Sequence, residues 1–185
     1  MGAALARAAI DSRHDVVLVS GPVQVDYPAG AEVIWVRTTD EMLEAASAQF
    51  AGCDGMIGAA APCDYMPRVV SAQKLSKTGE PIRLELIETP DVVARLGQCK
   101  RADQWVIGFA LETEDRRFRA IVKLQQKHCD LMVSNGPQAI DSHENEVELL
   151  APDGEVLAKI SGSKEHVAAE LLREIDDRLI SGPEF

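Results

Sequence analysis

Aromatic residues are scarce in this sequence: two Trp, two Tyr and four Phe make up 4% of 185 residues. Positive charge is scarce as well, with 19 Lys and Arg against 30 Asp and Glu and a net charge of −11. That balance argues against a general nucleic-acid or anionic-membrane surface, so a phosphate site has to be built locally, against the field of the chain. The four cysteines (Cys53, Cys63, Cys99, Cys129) form no C-x-x-C pair, and the four histidines lack metal-ligand spacing. A reduced cytoplasmic protein without structural zinc is the simple reading. No apolar run approaches the roughly 20 residues of a membrane span. The first residues lack the pattern of a secretory signal and the Ser/Thr of a myristoylation signal. There is no G-x-G-x-x-G, which disfavours a dehydrogenase, and no internal repeat or low-complexity stretch.

What is present is an ordinary apolar content, 46%, in a chain long enough for one domain with a sizeable core. Residues 1–180 read as that domain and 181–185 as an unstructured tail. The chain opens on helix formers with an apolar face through Leu5, Ala8 and Ala9. A buried strand, residues 15–20, ends at Gly21 and Pro22. A second strand spans 31–36, and Thr38 or Thr39 caps a helix from Asp40 to about Phe50. Residues 55–61 form a third strand. A loop is expected from Pro62 to Pro81, then an alternating, half-buried strand over 82–87. Thr89 is placed to cap a helix with Pro90 at its first position, running to about Cys99. Trp105–Ala110 is a further parallel-type strand. Residues 114–127 form an amphipathic helix with Phe118, Ile121, Val122 and Gln125 on one side, and 129–135 a short strand. Pro152, Asp153 and Gly154 are hairpin-turn chemistry between strands at 146–150 and 156–160. Ser163 caps a last helix to about Ile180. The fold class is α/β: a Rossmann-like, three-layer, mostly parallel sheet with a C-terminal hairpin and helix, and with the expected first strand absent.

The chemistry concentrates after the third strand. Gly58, Ala59, Ala60 and Ala61 offer backbone with almost no side chain, so a ligand can approach closely. Pro62 breaks the strand, and Asp64, Tyr65, Lys74 and Lys77 follow. An acid and a mobile lysine beyond a strand end sit where open α/β sheets bind ligands. An ordinary surface loop after a core strand, with small residues packed under a helix, is the competing reading.

Ala60-Ala-Pro-Cys-Asp-Tyr65 with Lys74-Leu-Ser-Lys77 resembles the AAVADY…KIKK signature of the phosphopantothenoylcysteine synthetase (phosphopantothenate–cysteine ligase) family. That synthetase is usually the C-terminal half of a bifunctional coenzyme A biosynthesis flavoprotein. The Pro-Cys and Ser76 depart from the pattern. Met1-Gly2 through Ser20-Gly-Pro22 is similar to the family's MGxALAxAA…VSGP segment, whose upstream strand and glycine-containing turn have no counterpart here. Residues 89–93 resemble NPDIV, and Gly108–Thr113 resembles GFAAET.

The resemblance implies an enzyme that activates 4'-phosphopantothenate with CTP to an acyl-cytidylate, releases pyrophosphate, and joins the acyl group to cysteine. It implies Lys74 as the catalytic lysine, neutralising charge as pyrophosphate leaves. It implies nucleotide contacts from Gly58, Ala59, Ala60, Asp64, Lys74, Pro90, Asp91, Val92, Val93, Phe109, Lys123 and Lys127, and a substrate contact at Ala61. Asn135 is expected to cap the loop after its strand. Mg2+ would accompany CTP, FMN would enter only through a decarboxylase half fused or associated upstream, and family members pair as homodimers. CTP is favoured over ATP by the match to bacterial-type motifs. No protein metal site is implied, and Cys63 lacks a neighbouring histidine to make it a nucleophile. The alternative is an inactive fragment, or a Rossmann-like nucleotide-binding module without ligase activity. With the first strand absent, the chain alone is expected to be inactive and less stable than a longer form.

Overall fold

A computed structural model of the chain describes residues 1–112, 115–135 and 144–181, apart from the side chain of Glu144. Helix α1 (Gly2–Asp11) is followed by β1 (Val17–Ser20), β2 (Glu32–Trp35), α2 (Thr39–Phe50) and β3 (Gly55–Gly58). Then come β4 (Tyr65–Pro67), β5 (Leu86–Glu88), α3 (Val92–Cys99), β6 (Trp105–Leu111), α4 (Arg116–Gln126) and β7 (Leu131–Asn135). The chain ends with β8 (Glu144–Leu150), β9 (Val156–Ser163) and α5 (Lys164–Ile175), which runs into a π-helical turn, Asp176–Ile180. The tail expected at 181–185 falls almost wholly outside the described residues.

The main sheet has the order β3-β6-β7-β8-β9. Its first three strands are parallel, and the hairpin β8–β9 adds two antiparallel strands. Helices cover both faces, as a sheet apolar on both sides requires. On one face Leu5 of α1 and Val167, Leu171 and Ile175 of α5 pack with Ile107, Val133 and Leu149. On the other, Phe50, Val92, Leu96, Ala120 and Leu124 of α2, α3 and α4 pack with Val106, Ala110 and Met132. This is the three-layer α/β arrangement expected.

Strands β1 and β2 pair in parallel as a separate two-stranded sheet. Among the described residues β1 and β3 each keep one edge without a ladder partner, so Ser20 and the end of β3 belong to separate sheets. Helix α2 packs on β1 and against α3. The capping box at its start is complete: Thr38 accepts from the Glu41 backbone, and the Glu41 carboxylate accepts from Thr38 and Arg37 N–H.

Four expectations need correction. The region after Pro62 is not all loop, since β4 pairs antiparallel with β5. The strand expected over 82–87 shrinks to Leu86–Glu88, and Ile82 and Leu84 are exposed, because among the described residues no helix or sheet covers them. Helix α3 starts at Val92 with Asp91 as its cap, two residues later than expected, so Pro90 precedes the helix. Helix α4 buries Ala120 and Leu124, while Phe118 is 70% exposed. Helical phase decides this last case: at about 100° per residue Phe118 lies roughly opposite Ala120 and Leu124, so its ring faces away from β6 and β7.

Candidate functional site

In a parallel sheet the loops after the strands gather at the carboxyl ends. Strand β3 ends at Gly58, and Ala59 N–H bends back to the Ile57 carbonyl at 3.2 Å. A Cβ on Gly58 would lie 2.5 Å from Val93 Cγ2. Glycine here therefore seats the first turn of α3 on the strand end. Ala59 packs into the α1/α5 face, and Ala60 and Ala61 are exposed beyond it.

The turn carrying Asp64 is strapped to the start of α3. Thr89 N–H donates to the Asp64 carbonyl at 2.9 Å, and Thr89 Oγ1 donates to the Cys63 carbonyl at 2.6 Å. Thr89 thus ties two loops 26 residues apart instead of capping the helix, a job its neighbour takes: Asp91 Oδ1 accepts from Ala94 N–H at 3.0 Å. The result puts the Asp64 turn beside a helix N-terminus, where free N–H groups and the dipole favour an anion.

Side chains on α4 complete this end. Helical side chains lean toward the N-terminus of their helix, and α4 begins at the carboxyl end of β6. Lys127 accordingly reaches back to Asp91, with Nζ 3.0 Å from Oδ2. Lys123 reaches Glu112, with Nζ 2.6 Å from Oε1. Arg116 donates to the Ser134 hydroxyl and carbonyl at 3.2 and 2.6 Å, fixing the start of α4 against β7. Asn135 closes β7, and its Oδ1 is buried without a hydrogen-bond partner among the described residues. A recess of about 250 Å³ beside Lys123 is lined by Glu112, Phe118, Arg119, Val122 and Gln126. A larger one, about 340 Å³ between α1 and α5, is lined by none of the residues singled out as site residues from the sequence.

The residues expected to act together are only partly brought together, and Lys123 pairs apart from the rest, with Glu112. Gly58, Asp64, Pro90, Asp91, Val92, Val93 and Lys127 are joined directly or through Thr89. Phe109 packs into the α1/α5 face of the sheet, opposite the layer that carries Lys123 and Lys127. Lys74 and Lys77 lie exposed on the segment between β4 and β5, away from regular structure. Sequence reasoning passed over Glu112 and Gly97. Glu112 carried a signal in its parity: Val106, Ala110 and Glu112 alternate along β6 toward the α4 layer. Gly97 carried none, since what it touches is the backbone of α4.

Residues 1–179 match the family described as the DNA/pantothenate metabolism flavoprotein C-terminal domain. The coenzyme A biosynthesis bifunctional protein CoaBC of Vibrio parahaemolyticus is 36% identical over 181 residues, covering 95% of this chain and 45% of that protein. The CoaBC of Bacillus subtilis is 37% identical over 180 residues, covering 95% of this chain and 44% of that protein. The chain thus spans about half the length of the curated relatives it matches. Among solved structures, the C-terminal domain of a CoaBC superposes with a TM-score of 0.79 at 30% identity, covering 98% of this chain and 83% of that one.

Proposed function

This chain belongs to the DNA/pantothenate metabolism flavoprotein C-terminal domain family, and from that membership we propose that it is a phosphopantothenate–cysteine ligase domain acting in coenzyme A biosynthesis. The carboxylate of 4'-phosphopantothenate attacks the α-phosphorus of CTP and expels pyrophosphate. The cysteine amine then attacks the acyl carbon, and CMP leaves as the amide forms. One observation supports this reading above others. Three stretches far apart in sequence, the turn at Cys63 and Asp64, residues 89–91 at the start of α3, and Lys127 of α4, meet at one end of the sheet through hydrogen bonds and an ion pair.

In this reading the backbone at Gly58–Ala60, the Asp64 carboxylate and the Pro90–Val93 turn hold the nucleoside, with Phe109 beneath the strand end. Ala61 lies against the acyl substrate. Lys123 and Lys127 take the phosphates. Lys74 closes from the β4–β5 segment and offsets the charge that builds as pyrophosphate departs, a stabilisation felt most in the transition state. Among the described residues no group of three or more His, Cys, Asp or Glu is arranged for a metal ion. Mg2+ would be carried mainly by the triphosphate, as is usual for that ion.

The remaining length of the bifunctional relatives leaves room for a flavin-dependent decarboxylase half as a fused or associated partner. A homodimer in the cytoplasm is the expected assembly. No described helix is long and apolar enough to cross a membrane.

The test is calorimetry with CTP and with ATP in Mg2+, followed by pyrophosphate release when phosphopantothenate is added. CTP binding with pyrophosphate release supports the ligase. Binding without release in any tested form, including one fused to a relative's decarboxylase half, favours the nucleotide-binding module.

A further inference from the structure

Glu112 is an unusual residue to find at the end of a core strand. Its side chain is 8% exposed, and its backbone N–H donates to the Asn135 carbonyl at 3.3 Å, which fixes its place at the end of β6 against β7. Its Oε1 stands 2.6 Å from Lys123 Nζ as an ion pair, and it accepts no hydrogen bond among the described residues. Lys123 itself is 44% exposed, so its ammonium is held from below and open from above.

We infer that Glu112 is a positioning residue that aims Lys123 at the nucleotide phosphates; this rests on the proposed role of Lys123. An ammonium carries three donors, so an ion pair with one carboxylate oxygen leaves donors for a ligand. The pairing also removes lysine rotamer freedom before the ligand arrives, which lowers the ordering cost of binding. Because the carboxylate is desolvated, releasing Lys123 entirely would strand a buried charge, so the lysine shares its donors instead of swinging away. The second pair behaves differently. Asp91 is 46% exposed, and water can take over from Lys127 at little cost. One lysine is anchored and the other is releasable.

A double-mutant cycle on CTP affinity tests this, using the full chain, calorimetry and a thermal midpoint for each variant. Glu112→Gln is expected to weaken CTP about tenfold in the parent, and to have no further effect in a Lys123→Met background. Glu148→Gln serves as control, because it removes another buried carboxylate that holds α4, through Arg117 at 2.7 and 2.8 Å, without touching Lys123. It should lower the midpoint and leave CTP affinity unchanged. If Glu112→Gln fails to fold, Glu112→Asp, which keeps the charge but withdraws it by one methylene, carries the same cycle. Equal losses in both backgrounds, or a CTP defect in the control as large as in Glu112→Gln, would overturn the positioning role. Unaltered CTP affinity in Lys123→Met alone would instead remove Lys123 from the nucleotide site, and the inference with it.

Discussion

Gly97→Ala sets two physical effects against each other with opposite signs. Gly97 is buried in α3, facing the last turn of α4. A Cβ there would stand 2.0 Å from the Lys127 carbonyl oxygen, 3.1 Å from its carbon and 3.2 Å from the His128 carbonyl oxygen. Helix propensity alone favours alanine by about 1 kcal/mol. Overpacking costs about 1–3 kcal/mol in a typical core. The upper end applies here because the obstacle is backbone and cannot rotate aside. The expected net loss is about 1–2 kcal/mol, a fall of roughly 2–8 °C in thermal midpoint for a chain of this size. A functional consequence follows, because relieving the clash moves α3 from α4 and stretches the 3.0 Å pair between Asp91 and Lys127. CTP affinity should therefore fall together with stability. Thermal denaturation and calorimetry on Gly97→Ala check both, with Gly2→Ala as reference. Gly2 opens α1, and a methyl group added to it would meet nothing within 4 Å, so alanine there should be neutral or mildly stabilising. A midpoint for Gly97→Ala at or above the parent's would refute the steric argument.

Three further outcomes are expected. Lys74→Gln should keep CTP binding within a few-fold but nearly abolish pyrophosphate release, since its charge acts in the transition state; near-normal turnover removes it from the mechanism. Asp64→Ala should weaken CTP binding by about 1–3 kcal/mol, the cost of leaving the polar groups of the bound nucleotide unpaired, and an unchanged dissociation constant would make it a turn residue only. The bidentate hydrogen bonds from Arg117 hold the Glu148 carboxyl down at about 2, with a smaller contribution from Lys159. A folded-state value depressed below the ordinary 4.5 gives stability that is complete above about pH 4.5 and is lost as pH falls toward 2. Arg117 and Lys159 are 51% and 64% exposed, so screening limits the effect to about 1 kcal/mol. Between pH 6 and 3 the midpoint of Glu148→Gln should fall less than the parent's; parallel curves would contradict this.

Much of the architecture was legible from local rules. A threonine cap before α2, the turn at Pro152–Gly154 and the apolar strands expected at 105–110 and 129–135 rest on interactions a few residues long or on a simple period; Thr38 supplies the cap, and the second strand starts two residues later, at Leu131. The Ala60–Tyr65 and Lys74–Lys77 motifs were legible as well, because a motif is a pattern in the chain itself. Periodicity misled where its partner surface was missing: the alternation over 82–87 has nothing to bury against, and most of it is exposed.

What tertiary structure decided were the pairings between distant residues. Thr89 looked like a helix cap, but the Cys63 and Asp64 carbonyls, 26 and 25 positions away, claimed its hydroxyl and N–H. Lys123 and Lys127 read as two equivalent phosphate ligands four residues apart. The fold gave one a buried carboxylate and the other a solvated one. Burial sets how tightly a carboxylate holds its lysine, and burial is a property of what packs around a residue. The amino-acid order alone therefore determined which charged groups this end of the sheet would carry, and the packing of α3 and α4 determined which of them are free to move.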